Sequence, residues 1–228
     1  MSFKEFIKEL NGNRVEGELV KTLIYSILAS FITFGILYFL RLRNIENFFP
    51  KYGLPLFFVV LSYSLVSISL RQVRAYKELP CMSGMMVGMT TGMIAGFLPG
   101  FYVASTNGIF IGSVFGMTLG IIFGIWNGKC CGIMGMMEGI MAGFMGGLMG
   151  AMTAFMLLND NLKPAYVIVF VISAVIIIGL NYMIYKDMKN EKRVLYEGQF
   201  FNIAFSFLLT IITTWLIVFG PRSGLFAQ

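Results

Sequence analysis

Apolar residues come in seven long runs separated by short polar segments, at about Leu19 to Leu40, Gly53 to Leu70, Cys81 to Val103, Asn107 to Trp126, Gly132 to Leu158, Ala165 to Tyr185 and Phe200 to Phe219. Each run approaches or exceeds the roughly 20 residues that a helix needs to cross about 30 Å of hydrocarbon. None alternates with the period of a strand, and in lipid only helices and closed barrels satisfy their backbone polar groups. The pattern predicts an all-α fold: a polytopic integral membrane helical bundle of about seven transmembrane helices. The chain divides into a short cytoplasmic segment 1–18, two flanking helices in 19–78, a three-helix core in 79–158, two more flanking helices in 159–219 and a tail 220–228.

Composition narrows the function classes. Of 228 residues 57% are hydrophobic, 12% are charged and none is His. A soluble domain carries about 25% charged residues, so a soluble enzyme or a disordered tail is excluded. The lack of His removes the commonest metal ligand and the usual general base near neutral pH. No phosphate-cradling loop or phosphorylated-aspartate motif is present either. The expectation is a protein that is not an enzyme and has no organic cofactor.

The net charge of +6 sits in short basic clusters between apolar runs, where it orients helices and does not form a nucleic-acid face. Alternate connections carry 12 of the 17 Lys and Arg on one side and 5 on the other. That places the N-terminus in the cytoplasm and the C-terminus outside the cell (cytoplasmic) membrane. Arg41, Arg43 and Lys51 in the first connection run against the trend. The opening residues hold acidic groups and no cleavable apolar core, so they do not read as a signal peptide. Phe3, Phe6, Ile7 and Leu10 would share one side of a short interfacial helix.

The core differs in kind from its flanks. Residues 79–158 hold 14 of 17 Met, 18 of 26 Gly and all three Cys, with Lys129 and Glu138 as their only formal charges. Glycines fall every fourth residue from Gly84 to Gly100 and again from Gly108 to Gly132. Small residues at this spacing let membrane helices approach backbone to backbone. Gly84-Met85-Met86-Val87-Gly88 recurs as Gly135-Met136-Met137-Glu138-Gly139. One helix lies between the copies, so the third and fifth helices should run parallel.

Sulfur is patterned as well. At about 100° per residue, Met134, Met137, Met141, Met145, Met149, Met152 and Met156 share a roughly 120° face of the fifth helix. Glu138 lies on that face, and Cys130 and Cys131 extend it if the helix reaches back to them. Gly132, Gly139, Gly143, Gly147 and Gly150 lie on the other side. From Met134 to Met156 the row rises about 33 Å, the height of the hydrocarbon core. Met82, Met85, Met86, Met89 and Met93 form a shorter row on the third helix, which opens with Cys81. Parallel third and fifth helices would bring Cys81, Cys130 and Cys131 to one cytoplasmic mouth. A reducing cytosol keeps them as thiols, and a helix N-terminus favours the thiolate.

Thioethers and thiolates without imidazole select Cu(I) or Ag(I) over harder metals. A column of weak sites permits both entry and exit of an ion. Glu138 would supply one fixed negative charge, and an intramembrane carboxylate is by default a functional candidate. The expected function is a permease or channel for Cu(I) or Ag(I) in the lipid bilayer, passing the ion from thioethers to thiols and on to a cytosolic copper chaperone. The alternative is a glycine-zipper assembly protein, or a non-selective oligomeric pore, in which Met is packing filler. Either reading accommodates a homo-oligomer. A thiol redox partner is disfavoured because no C-x-x-C is present.

The spacing Met82-x3-Met86 and Met85-x3-Met89-x3-Met93, followed by GxxxG in the next helix, resembles the paired motifs of the Ctr copper transporter family. The resemblance covers about 40 residues of this chain, and the expected seven spans depart from the family's three. It implies a pore-lining role for Met82, Met85, Met86, Met89 and Met93 and a packing role for the neighbouring glycines.

Overall fold

The computed structural model describes residues 15–40, 52–76, 79–158, 161–188 and 199–221, and every apolar run is helical in it. In chain order the helices are α1 (Val15–Leu40), α2 (Leu54–Ala75), α3 (Cys81–Asn107), α4 (Ile109–Gly128), α5 (Gly132–Met156), α6 (Leu162–Met188) and α7 (Gln199–Phe219). A 3-10 turn, Lys129–Cys131, joins α4 to α5. Among the described residues there is no strand. The interfacial helix expected at Phe3, Phe6, Ile7 and Leu10 lies outside the described residues, as do Arg41, Arg43, Lys51 and Arg222.

Among the described residues five stretches are long and apolar enough to cross a membrane: Leu19–Phe39, Leu54–Ala75, Cys81–Asn107, Ile109–Met156 and Leu162–Met188. The fourth contains two helices, because the chain reverses at the 3-10 turn and Gly132. Gly132 takes φ +73°, a left-handed conformation that glycine adopts without a Cβ clash. The apolar part of α7, Ala204–Phe219, is shorter.

The glycine pattern becomes a three-helix seam. Gly88, Gly92, Gly96 and Gly100 of α3 stand against the backbone of Gly135, Gly139, Gly143 and Gly147 of α5, in parallel. Gly128, Gly124, Gly120 and Gly116 of α4 face the same four residues of α5 in antiparallel order. A Cβ added to Gly92 would lie 2.8 Å from the Gly139 carbonyl oxygen and 3.1 Å from Gly124 Cα. Lipid tails provide no hydrophobic drive between helices, so this close van der Waals contact is what holds the trio. The two sequence copies do run parallel. Their contact register is nonetheless one turn away from the sequence echo, because Cys131 of the 3-10 turn occupies the space over Gly84 that Gly135 would otherwise take.

The other three helices, α1, α6 and α7, pack around α2, which is buried along most of its length and also touches α3. Aromatic rings fill its far half: Phe58 stacks on Tyr166 at 6.1 Å, and Tyr102 stacks on Tyr166 at 5.9 Å. α5 packs chiefly on α3 and α4, which leaves its remaining face on the outside of the chain.

Candidate functional site

Cys130 and Cys131 precede α5 and lie in the 3-10 turn, because the helix begins at Gly132, whose positive φ breaks the chain direction there. The turn folds back over the start of α3. A Cβ on Gly84 would overlap Cys131 Sγ and come within 3.4 Å of Cys130 Sγ. The Cys131 thiol donates to the Cys81 carbonyl oxygen at 3.1 Å, and the Cys130 thiol donates to the Asn127 carbonyl oxygen at 3.0 Å. The structure therefore brings the three cysteines to one end of the trio.

Their chemistry differs from the expected reactive thiolate. Burial, with Cys131 beside it, pushes the Cys130 thiol up to about 11. The Cys131 thiol is also raised, by burial and by the neighbouring Cys81. Cys131 is the N-cap residue of α5, so burial outweighs the lowering that a helix N-terminus would give its thiol. Among the described residues no three His, Cys, Asp or Glu side chains close into a metal-binding group. The thiols make a cluster of donors that is not a finished three-ligand cage.

The sulfur rows have a clear direction. Met134, Met137, Met141, Met145, Met149, Met152 and Met156 are all between 50% and 75% exposed. Gly135, Gly139, Gly143, Gly146, Gly147 and Gly150 on the opposite side of α5 are buried. Met82, Met86, Met89 and Met93 also point out of α3, and Met85 is half-buried. The two rows border one seam, since Gly146, next to Met145, sits against the Met93 backbone carbonyl. Glu138 is half-buried beside them, and among the described residues no ion pair involves it. Met136 falls off the face, its backbone nitrogen 3.0 Å from where a Gly128 Cβ would stand. Within one chain these methionines border an outer surface, and the glycine seam behind them is closed backbone against backbone.

Sequence reading missed a second polar feature. Hydroxyls line the contact of α1 with α7: Ser26 Oγ meets Ser206 Oγ at 2.6 Å, and Thr210 donates to Ser30 at 3.4 Å. Arg71 lies in the last turns of α2, not in the connection, and donates to Thr22 at 2.6 Å from a buried position. Gln72 donates to the Asn181 carbonyl at 3.0 Å. The spacing Thr22, Ser26, Ser30 was the available signal, one hydroxyl per turn on one face of an otherwise apolar helix.

No family model, curated protein or solved structure matches the chain. Its reading as a membrane-embedded helical bundle therefore stands on its own apolar helices.

Proposed function

We propose that this protein is a permease or channel for a soft monovalent ion, Cu(I) or Ag(I), and that the path forms between copies where their α3 and α5 methionine faces meet. The observation that carries the reading is the division of labour on α5. Glycines do the packing, while a membrane-high row of seven methionines is left over on the outside and leads toward three thiols. Methionine filling gaps inside the chain would be buried. Against lipid alone, it offers nothing that leucine lacks. Neighbouring turns set thioethers about 5–6 Å apart at Cβ, close enough for two or three sulfurs to converge on one ion.

In this reading all seven helices cross the cell membrane with the N-terminus cytoplasmic. Of the Lys and Arg among the described residues, Lys21, Arg71, Arg74, Lys129 and Lys186 lie toward the thiol end and Lys163 at the other. That asymmetry favours a cytoplasmic position for the thiols. Donors become stronger inward, from thioethers to thiols, which suits import and transfer to a cytosolic copper chaperone. Glu138 balances the charge of the cation.

Metal analysis of purified protein after exposure to Cu(I) or Ag(I) tests this. Bound metal that disappears in the triple variant Met137→Leu, Met141→Leu, Met145→Leu, with the oligomer intact, is the expected result. Metal-free protein that still assembles would overturn it and favour the second reading, a glycine-zipper assembly protein whose outward methionines are an adaptable contact between copies.

A further inference from the structure

We infer that the end of the molecule opposite the thiols carries a binding site for an anionic membrane lipid, independent of any metal path. A groove of about 750 Å3 opens between α1 and α2 beside the start of α6. Phe31 and Phe34 wall it on α1, Leu54, Phe57 and Phe58 on α2, and among the described residues Lys163 is its only charged lining residue.

The rings that form it are held in place. Phe31 and Phe57 meet across the two helices at 6.0 Å, and Phe58 is fixed by its stack on Tyr166, which donates to Ser105 at 2.8 Å. An open apolar groove of this size inside a bilayer has room for an acyl chain. Lys163 stands in the first turn of α6, where the helix dipole adds to its own positive charge. A phosphate-bearing headgroup with no compensating amine matches that end, because the Lys163 ammonium can donate a charge-assisted hydrogen bond to a phosphate oxygen.

The site also gives a reason for a basic residue on the side that the charge rule leaves poor in them. Arg41, Arg43 and Lys51 belong, in sequence, to the connection between the same two helices.

The test reconstitutes the full chain in nanodiscs of phosphatidylcholine with added phosphatidylglycerol and counts retained lipids by native mass spectrometry. The expected result is a preference for phosphatidylglycerol that Lys163→Glu abolishes, Lys163→Arg keeps and Leu54→Trp weakens by filling the slot. Lys163 is exposed, so its variants should fold as the parent does. Equal retention of both lipids, or a preference unchanged in Lys163→Glu, would overturn the site. So would displacement by inorganic phosphate, which would mark a soluble-anion site, or a Leu54→Trp effect on oligomeric state alone, which would mark a contact with a second copy.

Discussion

Gly124 of α4 and Gly139 of α5 meet with no side chain between them, and a Cβ built on either would overlap the backbone of the other. The same contact recurs between Gly128 and Gly135, Gly120 and Gly143, and Gly116 and Gly147, so over these turns α4 and α5 are spaced by backbone atoms. Any added methyl group must therefore move a helix, not a rotamer.

Gly139→Ala and Gly143→Ala should each destabilise the protein by at least about 1–3 kcal/mol, the usual range for overpacking. Gly179→Ala in α6, where nothing lies within 4 Å of the added carbon, should be neutral or stabilising by about 0.4–1 kcal/mol. Thermal unfolding in detergent micelles compares them. Equal effects at both kinds of site would show that the seam is looser than described.

Changing Met137, Met141 and Met145 to leucine should alter folding stability by no more than about 0.5 kcal/mol per site, because these side chains leave the chain's own core. A loss of several kcal/mol in the isolated protomer would mean that the methionines pack inside after all.

Thiol reactivity should follow the raised Cys130 group. Alkylation of Cys130 requires the thiolate, so its rate at neutral pH should be low and should rise about tenfold per pH unit until about pH 11. Mass-spectrometric labelling between pH 7 and 10 reads this directly. A rate already on its plateau at pH 7 would reject it. Metal capture by these thiols should also release protons and strengthen with pH.

A double-mutant cycle on Ser26→Ala and Ser206→Ala should give a favourable coupling of about 0.6 kcal/mol and no more than about 1.7 kcal/mol, as for other hydrogen bonds between membrane helices. Additive single effects would mean that the two hydroxyls do not bond.

Helix positions were almost fully legible in the sequence, since apolar length and flanking charge report them directly. Glycine spacing also foretold backbone contact, and the repeat foretold that α3 and α5 run parallel. The register was not readable: Gly88, not Gly84, lies level with Gly135, because the space over Gly84 is taken by a side chain from the turn. A helical wheel groups Met137 with Met141 and Met145 but cannot say what lies in front of them. That depends on which neighbours the opposite face recruits, and here glycine recruited both. Arg71 lies just beyond the second apolar run, which ends at Leu70, yet the structure carries α2 past it and seats the guanidinium against Thr22.

The seam of α3, α4 and α5 has one thermal consequence. In a bilayer a helix forms before it docks, so the backbone freedom of glycine is already spent when the trio assembles. Glycine has no rotamers to freeze at that later step. Separating these helices releases almost no side-chain entropy, so heating gains little by pulling them apart. The hydroxyl-lined contact of α1 with α7, whose Ser and Thr side chains regain their freedom, should be the first to melt.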